Sequence, residues 1–182
     1  PTQGTLKTTA KIISVLDKSK GAVVNIKTAT TNEVEELLFE TSWSIFCRGQ
    51  GKFGGERGKK LVLHDAIGEP LITKKIVIPE FQSLLYRLNG DTNPLHVDPM
   101  LAKEVGFNEP ILHGLCTYGY ATRVIVENLC KPEDLLTFGA RFSREVYPGN
   151  CLEVNIYRTT VPHSYRLKIN VDGKIVLSQG FI

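Results

Sequence analysis

The sequence predicts an α+β fold in which one antiparallel sheet wraps one buried helix. Three observations carry this. Residues 114–129, GLCTYGYATRVIVENL, place apolar side chains at Leu115, Tyr118, Val124 or Ile125, and Leu129, the spacing of a mostly buried helix of about four turns. Four β-rich runs follow, at 135–146, 151–160, 163–171 and 174–182. The last two are joined by Asp172-Gly173, a strong signal for a two-residue hairpin. A long helix followed by a strand meander satisfies both apolar faces when the sheet curls round the helix.

The elements before that helix read in order. Residues 5–17 and 21–30 are β-rich and joined by the short polar turn KSKG. Residues 36–49, ELLFETSWSIFCRG, alternate: Leu37, Phe39, Trp43, Ile45 and Cys47 fall on one face, and Glu40, Ser42 and Ser44 on the other. Three strands without a covering helix make half a domain. The glycine-rich, basic stretch 48–60 lacks the GxxxxGK[ST] spacing of a phosphate loop and reads as a linker, with bounds at 51–69. A strand from Ile72 stops at Pro79, and EFQSLLYRL is a short helix. Asp98-Pro99 then opens another helix, with Asp98 as N-cap and Pro99 at the first position, and Gly106 sits near its end.

The 182 residues suffice for one large domain or two small ones, and 42% hydrophobic with 23% charged residues is ordinary for a globular protein. A formal charge of +3 is too small to imply nucleic acid, but suits a small phosphate-bearing ligand. No apolar run approaches the roughly 20 residues of a membrane span, and residues near Pro1 carry no signal-peptide pattern. Cys47, Cys116, Cys130 and Cys151 are scattered and form no CxxC pair, which favours reduced thiols in an intracellular compartment.

The candidate chemistry lies in residues 86–99, YRLNGDTNPLHVDP. Asp98 is accounted for as a cap. Pro94 keeps Asn93 out of helical geometry, so Asp91 and His96 can converge from a stiffened loop. A carboxylate and an imidazole sharing one water can move protons in both directions, and the Asn93 amide can orient either the water or the carboxylate. The competing reading is local, with Asp91 as a turn residue after glycine. A second element bears on the choice. PILHGLCTYG sets Gly114 at the entry to the buried helix, where backbone N–H groups are unsatisfied. Glycine admits close approach, and such a donor aimed at a carbonyl oxygen stabilises developing enolate charge by roughly 3–4 kcal/mol. His113 reads as a packed, hydrogen-bonded histidine. His96-x-Asp98 and His113-x-x-Cys116 match no familiar zinc spacing, so no metal is expected.

YRLNGDTNPLHVDP, followed by GFNEPILHGLCTYG and RFSREVYPG, resembles the (R)-specific enoyl-CoA hydratases of the MaoC-like, hotdog-fold group, most closely the hydratase unit of eukaryotic peroxisomal multifunctional β-oxidation enzymes. The string G-D-x-N-P-x-H-x-D-P is highly specific, and the motifs cover residues 84–150 densely. GTLKTTAKIISVLDKSKGAVV and FGGERG also resemble the second half of the degenerate first repeat in these double-hotdog proteins. The resemblance implies a hotdog fold: part of a first repeat over 1–50, a linker, and a complete catalytic repeat over 70–182. It implies catalytic roles for Asp91 and His96, support from Asn93, a backbone donor to the thioester oxygen at Gly114, and CoA or substrate contacts at Lys18, Arg141 and Phe142. The substrate implied is a trans-2-enoyl-CoA, hydrated reversibly to the (3R)-3-hydroxyacyl-CoA, with no cofactor, no nucleic acid and no membrane partner. The uncovered apolar face of Leu37, Phe39, Trp43 and Ile45 leads us to expect a homodimer, and the resemblance further implies linkage to an upstream dehydrogenase domain and a peroxisomal location, although the terminal GFI is not a peroxisomal address. A full first repeat would contain its own long helix. Its absence here, with Pro1 rather than methionine first, leads us to expect upstream chain or completion by a partner. Two rival readings stand beside this one: a hotdog acyl-CoA thioesterase, for which Glu127 is the only acidic residue on the long helix, and a non-catalytic acyl-CoA-binding module.

Overall fold

Three long strands open the chain: β1 (Lys7–Asp17), β2 (Gly21–Thr31) and β3 (Leu37–Arg48). They form an antiparallel sheet of their own in the order β1-β2-β3. The register shows why the alternation in β3 matters. Ile12, Ile26 and Trp43 stand opposite one another across the three strands, and so do Val15, Val24 and Ile45. A bulge between Ile12 and Ser14 keeps both rows on one face, because an extra residue restores the parity that alternation would lose. The other face carries a polar row, with Asn25 donating to Ser14 Oγ at 2.8 Å and accepting from Ser44 Oγ at 2.6 Å. The computed structural model describes residues 3–59 and 62–182, and the chain divides into two compact units, Pro1–Leu61 and Val62–Ile182. Residues 60 and 61 of the expected linker lie outside the described residues.

The second unit is built on five antiparallel strands in the order β4-β6-β7-β8-β5: β4 (Ile67–Val77), β5 (Gly139–Phe142), β6 (Cys151–Arg158), β7 (Tyr165–Val171) and β8 (Lys174–Phe181). Three helices accompany them: α1 (Gln82–Tyr86), α2 (Pro99–Glu104) and α3 (Gly114–Asn128). The core lies where α3 meets the sheet. Cys116, Ala121, Val124 and Ile125 form the buried stripe of the helix. Opposite them, Leu152, Val154 and Ile156 of β6 and Leu167 and Ile169 of β7 are fully buried, spaced two apart as a one-sided strand requires. Burial of apolar surface, worth about 25 cal/mol per Å², stabilises this contact between helix and sheet. The β7–β8 turn has positive φ at both Asp172 (48°) and Gly173 (72°), the geometry that matches strand twist in a two-residue hairpin.

Two strands depart from the expectation. β4 begins at Ile67 rather than Ile72. Ile67 pairs with Arg158 and Ile72 with Ile156, so the residues between bulge out. Gly68 there has φ of 64° and Pro70 has no N–H to give the ladder, which is why the pattern read as a break. The run 135–146 yields only the four residues of β5. A short 3-10 turn, Pro132–Asp134, ends at its threshold, residues 135–138 stay outside the sheet, and Leu136 is 92% exposed. Among the described residues no helix is long and apolar enough to cross a membrane.

Candidate active site

One loop, the chain leading into α3, and the N-terminus of α3 come together in the second unit. Asn93 caps the short 3-10 turn Pro94–His96, its Oδ1 accepting from Leu95 N–H at 3.0 Å, while its own N–H donates to Asp91 Oδ1 at 3.3 Å. Asn93 therefore spends its side-chain oxygen on the backbone and keeps its amide NH₂ free of that cap. The turn carries His96 inward, to 9% exposure, with Nδ1 2.8 Å from the Ile111 carbonyl oxygen. A carbonyl can only accept, so Nδ1 holds the hydrogen and the neutral ring keeps its lone pair on Nε2. Asp98 caps α2, its Oδ1 accepting from Met100 N–H at 2.8 Å and Leu101 N–H at 3.3 Å, as expected.

Asp91 and His96 do converge. Ligand atoms of Asp91, His96 and His113 all lie within 4.8 Å of one another. The two imidazoles stack, centroids 3.8 Å apart and planes 28° apart. Imidazole lone pairs lie in the ring plane, so nearly parallel stacked rings cannot both direct one at a metal about 2 Å away. The grouping suits proton transfer better than coordination. Burial pushes the Tyr86 phenol up, with Cys116 and Asp91 adding to it. Burial likewise raises the Cys116 thiol, which favours the inert protonated form over the nucleophilic thiolate.

Gly114 begins α3 beside this pair. The His113 carbonyl accepts from Cys116 and Thr117 N–H at 3.1 and 3.2 Å. Among the described residues, no hydrogen bond takes the N–H of Gly114 or Leu115. Those free donors carry the positive end of the helix dipole. A Cβ built on Gly114 would lie 3.4 Å from the Phe142 ring, which places Phe142 against the helix entry. Arg141, the preceding position of β5, projects to the opposite side and makes no hydrogen bond to Asp91, His96 or Gly114. A cavity of 650 Å³ lined by Glu80, Ser83, His96, Val97, Lys103 and Asn108 opens onto His96.

Lys18 belongs to the first unit. Its Nζ donates to the Arg57 carbonyl, and with Asp17, Ser19, Arg57, Gly58 and Lys59 it lines a cavity of 280 Å³. The Asp17 carboxylate organises this turn by accepting from Ser19, Lys52 and Gly54 N–H at 2.8 to 2.9 Å, bonds that hold its pKa below the usual carboxylate range. Glu127 is paired with Arg123 at 2.7 Å in the last turn of α3, roughly 20 Å along the helix from Gly114 at 1.5 Å per residue. That separation removes the basis for nucleophilic attack by Glu127 at the N-terminal site. His113, read from sequence as a packed histidine, proves to stand in the centre of the group. The signal for it was its place directly before the helix-entry glycine.

Residues 62–178 match the MaoC like domain, and residues 1–49 match the MFE-2 hydratase 2 N-terminal domain. A probable enoyl-CoA hydratase 2 of Dictyostelium discoideum is 39% identical over 189 residues, which span 99% of this chain and 64% of that protein. The full-length peroxisomal multifunctional enzyme type 2 from Drosophila melanogaster is similar in structure, with a TM-score of 0.78 at 34% identity, over 100% of this chain and 34% of that one. An unliganded R-hydratase from Pseudomonas aeruginosa aligns with a TM-score of 0.53 at 25% identity, over 63% of this chain and 79% of its own. The chain thus spans less than two thirds of the first two of these relatives. The fold is the hotdog expected from the resemblance. A match that runs from ahead of β4 into β8 takes in the sheet, the helix and the Asp91–His96 loop together: the chain belongs to the MaoC-like domain family.

Proposed function

We propose that the chain catalyses reversible addition of water across the double bond of a trans-2-enoyl-CoA, giving the (3R)-3-hydroxyacyl-CoA. The observation that carries this reading is the meeting of an Asp–His pair with the free N–H groups at the start of α3. Hydration transfers one proton from water to a base as the oxygen bonds Cβ, and delivers one proton to Cα from an acid. Asp91 and His96 fill these roles, one taking the proton from water and the other giving one to Cα, and His96 uses Nε2 because Nδ1 is engaged. Between the two transfers the thioester oxygen carries enolate charge, and the Gly114 N–H is the donor that meets it. The free amide of Asn93 orients the water. Phe142 borders the thioester, and the family resemblance assigns Arg141 and Lys18 to the CoA, Lys18 as a point charge for phosphate.

The R outcome is supported by the R-hydratase among the structural neighbours. A peroxisomal location is supported by the likeness to the peroxisomal multifunctional enzyme type 2 of Drosophila, and linkage to a dehydrogenase unit by the peroxisomal hydratase-dehydrogenase-epimerase of Neurospora crassa, 35% identical over 98% of this chain and 20% of that protein. The reaction needs no cofactor, since the CoA thioester is itself the substrate and supplies the electron sink. Residues 1–50 are the strand part of a first hotdog repeat, and the catalytic repeat runs to 182 from ahead of β4, whose start at Ile67 falls inside the connection expected over 51–69; the two family matches support this division.

The test is purified protein with a short trans-2-enoyl-CoA, following loss of the conjugated-enone absorbance, beside a free-thiol assay with a saturated acyl-CoA. Loss of absorbance without thiol release is the expected result. Thiol release would make the chain a thioesterase, and neither signal would make it a binding module.

A further inference from the structure

His113 reaches further than a packed histidine needs to. It is 1% exposed and immediately precedes α3, yet its side chain does not cap the helix. Its Nε2 instead lies 3.3 Å from the backbone carbonyl oxygen of Asp91. In the opposite direction, His96 Nδ1 lies 2.8 Å from the carbonyl oxygen of Ile111. Each of two chain segments therefore gives a ring nitrogen to a carbonyl of the other, and the rings stack between them. The Tyr86 ring packs on His113 from α1, centroids 4.7 Å apart. We propose that His113 is a positioning residue for the hydration assigned above, a brace that fixes the main chain of Asp91 and the ring plane of His96 so that both side chains address one substrate. The inference rests on that reading of the site.

The brace requires His113 to be a neutral donor at Nε2, and its surroundings favour that form. The groups facing it are His96 across the stack, Asp91 beyond the carbonyl, and Arg87 and Tyr86 from the segment of α1. Burial pushes its pKa below the ordinary imidazole range, the His96 ring and Arg87 add to this, and Asp91 opposes it. Its Nδ1 is buried with no hydrogen-bond partner among the described residues. A buried lone pair left bare costs less than a buried N–H left bare, which again sets the hydrogen on Nε2. Asp91 itself is exposed and sits on a loop, so the His113 contact is what ties its backbone to α3.

The first measurement needs no variant: ring ¹H–¹⁵N correlation spectra of labelled wild-type protein near neutral pH. His113 is expected as the neutral tautomer with hydrogen on Nε2, and His96 with hydrogen on Nδ1. A charged His113, or its other tautomer, would overturn the brace. The second is kinetic. His113→Phe keeps the ring and its stacking but loses the donor, and kcat is expected to fall about 10- to 100-fold, the scale of a small displacement of a reacting group. KM is expected to move less than about threefold, since no substrate contact is removed. His113→Gln, whose amide nitrogen reaches the place of Nε2, is expected to recover most of that loss, which a purely space-filling role does not predict. A Phe variant as active as wild type, or a Gln variant no better than Phe, overturns the proposal. If either variant fails to fold, the wild-type spectrum decides. A wild-type chain inert toward enoyl-CoA would overturn the hydratase reading and with it the catalytic purpose of the brace, while the spectrum would still report whether the brace exists.

Discussion

Asp91 and Asp98 bracket the same stiffened loop and do different work with the same side chain. Asp98 is spent on two backbone N–H groups of α2, whereas Asp91 takes one weak local bond and otherwise faces the cluster. Asp91→Asn and His96→Gln are each expected to lower enoyl-CoA turnover by about two to four orders of magnitude, the usual worth of a placed acid or base. Their melting temperatures should hardly move, and the double variant should fall well short of additive because both act on one reaction. Asp98→Asn should keep turnover and stability, because Asn caps as well, while Asp98→Ala should cost about 1 kcal/mol. Turnover and thermal melts of the five variants decide this, and near-normal activity of Asp91→Asn would reduce the loop to a turn and a cap. A pH effect follows from His113. Its folded pKa lies below the ordinary value of about 6.5, so as pH drops through 6.5 the unfolded chain takes up a proton that the native chain refuses. Stability is therefore full above that value and falls below it, by at most about 1.4 kcal/mol per pH unit from this group. Melts over about pH 5 to 7 should slope this way in wild type, and more shallowly in His113→Gln. The loop motif was legible because proline, asparagine and aspartate each impose local geometry. The stacked histidines were not, because their partners are carbonyls distant in sequence.

The elements show the same division between local and distant causes. The period of α3 and the Asp172-Gly173 turn could be read directly, since both are set by neighbours along the chain. The brevity of β5 could not, because Leu135–Phe138 has strand-like composition but is drawn out of the sheet. The Phe138 carbonyl accepts from the Tyr118 hydroxyl and its ring stacks on Tyr118 with centroids 4.2 Å apart. Two glycines separate structural from functional constraint at this scale. A Cβ on Gly180, in β8, would sit 2.4 Å from the Leu167 carbonyl oxygen of β7, a backbone atom that cannot swing aside. Gly180→Ala is expected to destabilise by about 1–3 kcal/mol as the strands are forced apart, with the folded fraction still active. At Gly114 the neighbour is the face of an exposed side chain, Phe142. Gly114→Ala should therefore fold nearly as well as wild type but lose about 10- to 100-fold in turnover, because the methyl stands off the thioester from the free N–H. Denaturant melts and kinetics on the pair test this, and a swap of the two phenotypes would contradict the assignment of Gly114 to the site.

At the scale of the whole molecule, the apolar face of the first sheet is the feature with the largest consequence. Ile12, Trp43, Val15 and Ile45 are 62%, 59%, 46% and 49% exposed, and the register sets them with Val24 and Ile26 in two rows across all three strands. A contiguous patch of this kind is uncommon on a monomer in water and marks a surface that associates. We expect the chain to cover it with a second copy, since a twofold pair is the default solution for one exposed face. The sequence made this legible through the alternation in β3, but it did not reveal the bulge in β1 that completes the face. The single tryptophan of the chain is Trp43, so its fluorescence reports on this surface without labelling. On dilution from a self-associated state, emission should shift to the red as the indole meets water, in step with a fall in mass by light scattering. Trp43→Thr with Ile45→Thr keeps strand preference while removing most of the outer apolar area. That variant should scatter as a monomer at concentrations where the parent does not. A parent chain that is monomeric at micromolar concentration, with emission already red and insensitive to dilution, would mean that this face is tolerated bare.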